Sequence, residues 1–211
     1  MNQNKKICVI GLGYIGLPTA SLLANRGYNV HGVDVVQSTV DTINQGKIHI
    51  VEPELDTFVQ SAVNSGKLKA SLLPDVADIF IIAVPTPFHE GYVPNVDYVI
   101  SATKAIASYI KTGDIVILES TSPVGTTELV EKTLKEENID TTKLYIAHCP
   151  ERVLPGHIMR ELVENDRIVG GLTPEATEKT VEFYKTFVSG EVLSTDARWQ
   201  NLLKTLLEIQ T

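Results

Sequence analysis

Residues 5–34, KKICVIGLGYIGLPTASLLANRGYNVHGVD, decide the fold. Lys5–Gly11 is a short, continuously apolar run with β-branched residues, which predicts a strand buried on both faces of a parallel sheet. Tyr14–Arg26 has apolar residues at helical spacing and stops at Gly27, so a helix follows at once. Asn29–Asp34 predicts a second strand. Strand, glycine-rich turn, helix and strand within about thirty residues form one right-handed βαβ unit.

Apolar runs alternate with helical patterns through the rest of the chain. Further strands are predicted at Ile79–Val84, Ile115–Leu118, Leu144–His148, Ile168–Val169 and Val192–Leu193. Helices are predicted at Val36–Gln45, Glu54–Ser65, Tyr98–Ile110, Thr126–Glu137 and Pro174–Phe187. Because each crossover helix must cover one face of a sheet, the alternation predicts an α/β fold, a Rossmann-like doubly wound parallel sheet with helices on both faces.

The composition is that of a folded globular protein. The 211 residues are 43% hydrophobic and carry 18 Lys and Arg against 26 Asp and Glu, a net charge of −8. This acidic balance, without a basic patch, disfavours nucleic acid and membrane surfaces as partners. The apolar stretch after the polar N-terminus is broken by glycines, which disfavours a signal peptide. Two cysteines far apart favour the reducing cytoplasm, and the histidines show no metal-ligand spacing.

The sequence GLGYIG at 11–16 matches the pattern G-x-G-x-x-G between a predicted strand and helix. In this context Gly11 permits a tight turn, Gly13 lets backbone N–H groups approach a pyrophosphate, and Gly16 lets the helix pack closely on the strand. Asp34 stands at the end of the second strand, where a carboxylate accepts hydrogen bonds from the adenosine ribose and repels a 2′-phosphate. The pattern therefore predicts NAD rather than NADP. The alternative is a turn chosen for packing, with Asp34 as a helix N-cap.

Three polar segments punctuated by proline or glycine follow later predicted strands. They are VPTP at 84–87, ESTSPVGTT at 119–127 and CPERVLPG at 149–156. Ligands in open α/β sheets bind at the carboxyl ends of strands, so the three segments predict one site. Each segment alone is equally consistent with ordinary turns, and Thr126 with a helix N-cap.

Glu151 and Arg152 are the most chemically suggestive pair in these segments. A carboxylate there can act as an acid/base and a guanidinium can bind an anionic substrate, whereas the alternative is a surface ion pair. Cys149 is a candidate nucleophile, but only His148 adjoins it, which favours a buried structural thiol.

These residues resemble the NAD-dependent nucleotide-sugar 6-dehydrogenases, and within them the UDP-N-acetylmannosamine branch. Six segments carry the resemblance in the same order: VIGLGYIGLPTA, GKIHIVEPEL, AVPTPF, VILESTSPVGTTE, AHCPERVLPG and NDRIVGG. The form CPERVLPG favours this branch. A UDP-glucose dehydrogenase, the second choice, more often has PEF and an acidic residue where this chain has Pro155.

The resemblance implies oxidation of the C6 alcohol of a UDP-sugar to a carboxylate, with two NAD reduced and one water consumed. The implied cofactor contacts are the pyrophosphate and ribose ligands and two threonines of the NAD site: Gly11, Gly13, Tyr14, Ile15, Gly16, Asp34, Thr86 and Thr127. The implied catalytic residues are a ligand of the catalytic water, an acid/base and a lysine: Thr121, Glu151 and Lys204. Arg152 and Val153 are implied to contact the substrate, and the full-length family to form homodimers.

The resemblance runs from about Ile7 to Asp196. It implies an NAD-binding domain over residues 1–195 and the start of a linking helix over 196–211. The family's nucleophilic cysteine and UDP-binding domain are expected to be absent. The tail WQNLLKTLLEIQT departs from the family pattern, and both a frameshift after about residue 198 and a natural amphipathic tail explain the departure. We therefore expect a chain that binds NAD and is catalytically incomplete, with a non-catalytic NAD-binding module as the alternative.

Overall fold

The computed structural model describes residues 5–88 and 94–197. Within them eight strands form one sheet: β1 Lys6–Ile10, β2 Asn29–Val33, β3 Leu68–Ser71, β4 Ile79–Ile82, β5 Ile115–Leu118, β6 Tyr145–His148, β7 Arg167–Gly171 and β8 Val192–Asp196. Their order is β3-β2-β1-β4-β5-β6-β7-β8. The order reverses between β1 and β4, which is where doubly wound sheets open a crevice for ligands.

In the described ranges seven α-helices connect the strands: α1 Gly16–Asn25, α2 Gln37–Asn44, α3 Leu55–Asn64, α4 Asp97–Ala107, α5 Thr126–Glu136, α6 Ile158–Glu164 and α7 Pro174–Tyr184. A short 3₁₀ turn, Thr141–Lys143, precedes β6. No helix among the described residues is long and apolar enough to cross a membrane.

Two hydrophobic cores lie on opposite faces of the sheet. Alternate residues of β1 point to opposite sides, so Ile7 and Val9 join one core while Cys8 and Ile10 join the other. The first core includes residues of α1, α2, α3, α6 and α7, and the second includes residues of α4 and α5. Burial on both faces explains the continuously apolar central strands, and the predicted doubly wound α/β fold is confirmed.

The structure corrects the predicted elements in three places. Strand β3 was not predicted because its sequence, LKAS, is short and partly polar, as suits a strand at the edge of the sheet. Helix α6 was not predicted because seven residues are too few to show a helical period. Strand β7 pairs antiparallel with β6, so the sheet is not wholly parallel. The chain between β6 and β7 therefore stays at the carboxyl edge of the central strands.

Candidate cofactor and substrate site

The glycine-rich turn joins β1 to α1 at the point where the strand order reverses. Gly11 has φ +91°, and a Cβ there would lie 2.6 Å from the Ala83 carbonyl oxygen. A Cβ on Gly16 would lie 1.7 Å from the Gly11 carbonyl oxygen, so both positions require glycine for packing. Gly13 differs, because a Cβ there would lie within 4 Å of no described residue other than its chain neighbours. Because Gly13 has no side chain, space stays open beside the N-terminus of α1.

No side chain among the described residues caps the N-terminus of α1. Its N-cap residue, Ile15, makes no side-chain hydrogen bond, and the first turn holds no acidic residue. Tyr14 is exposed beside it. Free N–H groups and the helix dipole make such an end favourable for a phosphate.

Asp34 directly follows β2 and turns back towards the glycine-rich turn. One carboxylate oxygen accepts the Leu12 N–H at 3.1 Å and the other accepts the Val36 N–H at 3.0 Å. The N-cap of α2 is Val36, which makes no side-chain capping bond, so the interpretation of Asp34 as a helix N-cap is wrong. The carboxylate is held beside the turn, as a ribose-binding acid would have to be.

Side chains join the ends of β4 and β5. The Thr86 hydroxyl donates to the Thr121 carbonyl at 2.5 Å, and the Ser120 hydroxyl donates to the Val84 carbonyl at 2.7 Å. Two of the three predicted loop segments therefore meet. Thr121 itself is exposed at this edge.

Thr127 lies in the first turn of α5 and is 1% exposed. Its hydroxyl has no hydrogen-bond partner among the residues that the structure describes. The N-cap of α5 is Gly125 at φ +92°, so the interpretation of Thr126 as an N-cap is wrong. Instead, the Thr126 hydroxyl donates to the Pro123 carbonyl at 2.8 Å.

Glu151 lies just beyond the end of β6 and is 5% exposed. Its carboxylate forms an ion pair with Arg167, the first residue of β7, and both side chains are buried. The other carboxylate oxygen accepts the Arg152 N–H at 2.8 Å. The alternative of a surface pair between Glu151 and Arg152 is therefore wrong. Arg152 is exposed and Val153 half-buried, which leaves the guanidinium accessible to a ligand.

A second buried carboxyl, Glu119, lies at the end of β5. It accepts the Tyr184 hydroxyl at 3.1 Å and the Thr19 hydroxyl at 3.3 Å, and so connects β5 with α7 and α1. Burial raises the pKa of Glu119 to about 7, although the Arg167 charge acts in the opposite direction. One guanidinium thus serves two carboxyls, and Glu151 has the direct contact.

Cys149 lies in the same buried cluster. Burial raises its pKa to about 12, so the side chain is a thiol at neutral pH. The predicted burial of this thiol is confirmed.

Sequence reasoning assigned no role to the buried polar residues beneath the site, Glu119, Arg167 and Tyr184. The available signal was a charged residue at one end of an apolar run, as at the end of VILE and at the start of RIVGG. Since β7 was expected to run parallel, nothing placed Arg167 beside Glu151. Lys204 lies outside the described residues, as do residues 198–211 of the segment predicted to begin a linking helix. The predicted start of that segment is wrong by at least one residue, because Asp196 still belongs to β8.

The profile of the UDP-glucose/GDP-mannose dehydrogenase family, NAD binding domain, matches residues 5–188. The chain belongs to this family. The resemblance found in the sequence is thereby confirmed, and the cofactor is NAD. Within the part of the chain that the structure describes, three features fit such a dinucleotide: the open space at Gly13, the uncapped end of α1 and the unpartnered Thr127 hydroxyl.

The chain is similar to two curated relatives and one solved structure of nucleotide-sugar dehydrogenases. A UDP-N-acetyl-D-mannosamine dehydrogenase of Campylobacter jejuni is 56% identical over 97% of this chain and 53% of its own length. An NDP-N-acetyl-D-galactosaminuronic acid dehydrogenase of Ralstonia nicotianae is 52% identical over 95% of this chain and 49% of its own. The structure of a UDP-N-acetyl-mannosamine dehydrogenase from Staphylococcus aureus matches with a TM-score of 0.91 at 41% identity, covering 97% of this chain and 51% of that one. The chain spans about half the length of the curated relatives it matches.

Proposed function

We propose that this family member is the NAD-binding and sugar-facing part of a UDP-N-acetyl-D-mannosamine 6-dehydrogenase. The reaction takes one C6 alcohol, one water and two NAD⁺ to one carboxylate, two NADH and three protons. The observation that carries the proposal is the meeting of the β4, β5 and β6 ends, with Thr86 bonded to Thr121 and Glu151 beside Arg152, at the edge of the sheet that holds the glycine-rich turn. A module that bound only NAD would not need Arg152 presented there.

The proposed cofactor contacts follow the geometry of the glycine-rich turn. The backbone N–H groups from Gly13 to Gly16 face the pyrophosphate, and Tyr14 and Ile15 frame it. Asp34 accepts the hydroxyl groups of the adenosine ribose, while Thr86 and Thr127 line the nicotinamide side. Held by these residues, NAD would supply the hydride acceptor for C6 of the sugar.

The proposed substrate contacts come from the ends of β5 and β6. Thr121 orients the water that is consumed, and Glu151 acts as the acid/base residue. Arg152 and Val153 contact the UDP-sugar, where the exposed guanidinium complements the negative diphosphate. Lys204 is proposed as a further catalytic residue from its sequence position alone.

Two measurements on the purified chain test the proposal. Calorimetric titration should show saturable NAD binding and none for NADP. Saturation-transfer NMR with NAD present should show contact with the N-acetyl methyl group of UDP-N-acetylmannosamine, with weaker transfer to UDP-glucose. NAD binding without sugar contact would favour a non-catalytic NAD-binding module. Steady-state NADH formation by the pure chain would refute the expectation that it is catalytically incomplete.

A further inference from the structure

The loop of residues 151–157, here called the Arg152 loop, is held by side chains along its length. Asn165 donates through Nδ2 to the Arg152 carbonyl at 3.1 Å. Glu161 accepts the Leu154 N–H at 2.8 Å. Both partners belong to α6 or the residue that ends it, so they tie the loop only to the helix that follows.

A further anchor, Glu52, comes from the distant segment between α2 and α3. One of its carboxylate oxygens accepts the Gly156 N–H at 2.8 Å and the other accepts the Ile158 N–H at 2.9 Å. Ile158 begins α6, and its N–H has no partner within the helix. The residue at the N-cap, His157, makes no side-chain capping bond. Glu52 therefore caps α6 and fixes the end of the loop at the same time.

The burial of Glu52 gives this anchor its strength. The residue is 4% exposed, and a buried carboxylate is costly unless both oxygens are satisfied. Here both oxygens accept backbone N–H groups, and hydrogen bonds to an ionised acceptor are about twice as strong as neutral ones.

The position of Glu52 along the chain connects the loop to the cofactor half of the fold. The chain runs from Asp34 through α2 to Glu52 and then directly into α3. Helix α3 packs through Leu55 and Val59 into the same core as α1, the helix that follows the glycine-rich turn. The loop is thus held at a fixed position relative to the NAD-binding turn.

We propose that Glu52 is a positioning residue that fixes the Arg152 loop so that Arg152 and Val153 meet the sugar nucleotide. This inference rests on the proposed function. Glu52 touches neither substrate nor cofactor and acts through the backbone of Gly156 and Ile158.

Amide hydrogen exchange in the purified chain tests the positioning. Glu52→Gln retains one acceptor but sets an NH₂ group against the second N–H, and Glu52→Ala removes both acceptors. Exchange over residues 152–158 is expected to rise roughly tenfold or more in the glutamine variant, and further in the alanine variant. Glu54→Gln, the same charge change at an exposed neighbour, should keep the wild-type rate. Wild-type exchange in Glu52→Gln, or equal acceleration throughout the chain, would overturn the proposal.

Ligand titrations separate this inference from the proposed function. With NAD present, Glu52→Gln should raise the dissociation constant for UDP-N-acetylmannosamine roughly tenfold, because fewer molecules hold the loop in its binding conformation. Its NAD dissociation constant should stay within about twofold of wild type, since both oxygens of Glu52 are engaged by the loop and α6. Sugar binding unchanged by the substitution would overturn the positioning role alone. A wild-type chain that contacts no UDP-sugar would overturn the proposed substrate, and with it the sugar-positioning role.

Discussion

The free energy of unfolding of the wild-type chain is expected to fall as the pH rises, because the buried Glu119 carboxyl loses its proton. Replacing Glu119 by glutamine should abolish this fall. The Glu119 carboxyl is buried between β5, α1 and α7, and its hydrogen-bond donors are Thr19 and Tyr184. Burial raises its pKa from 4.5 to about 7. The folded chain therefore binds this proton more tightly than the unfolded chain does.

The pKa difference between the folded and unfolded chain determines how the free energy of unfolding changes with pH. The stabilisation from the bound proton is fully present below pH 4.5 and is lost as the pH rises to about 7. At about 1.4 kcal/mol per pH unit, this window corresponds to a loss of about 3 kcal/mol in the free energy of unfolding. For a chain of this size that is roughly 6–12 °C in melting temperature.

The assay is urea unfolding of wild type and Glu119→Gln at intervals from about pH 4.5 to about pH 8. Comparing how each free energy of unfolding changes with pH cancels any packing difference caused by the amide. The wild type should lose about 3 kcal/mol more than the variant across this range. Glu178→Gln, a substitution on the exposed surface of α7, is the matched control and should follow the wild type. Parallel profiles for wild type and Glu119→Gln would refute the reasoning.

Three further predictions test the glycine-rich turn, the proposed ribose-binding carboxylate of Asp34 and the buried ion pair. Gly16→Ala should lower the free energy of unfolding by about 2 kcal/mol or more, because its Cβ would overlap the Gly11 carbonyl. Gly13→Ala should lower it by under about 1 kcal/mol and mainly weaken NAD binding. Thermal unfolding measures the first effect and calorimetric titration with NAD the second. Asp34→Ala should weaken NAD binding about tenfold or more in calorimetry, and an unchanged affinity would contradict the ribose role. Arg167→Met should cost about 3–5 kcal/mol in urea unfolding by leaving Glu151 buried and unpaired, and adding Glu151→Gln should recover part of that loss; equal losses in the single and double variants would contradict the pairing.

The sequence by itself determined the βαβ order, the glycine-rich turn and the carboxylate at Asp34. These features are local, because a buried strand, a tight turn and a helix end each leave a pattern within a few residues. The NAD cofactor was predicted from the glycine-rich turn and Asp34, and the family from its resemblance in six sequence segments; both are confirmed. The six segments that resemble the family can be recognised, in the family's order, from the sequence without a structure.

The tertiary structure alone decided which residues lie beneath the site and what holds the Arg152 loop. Glu119 meets Thr19 and Tyr184, and Glu52 caps α6 from the other half of the sheet, through contacts between residues far apart in the sequence. Such pairings leave no periodic signal, since each requires one polar residue at one place. The antiparallel turn into β7, which places Arg167 beside Glu151, likewise depends on where the chain runs after β6. Local sequence patterns fix the elements, whereas the partners of buried charges depend on how those elements pack.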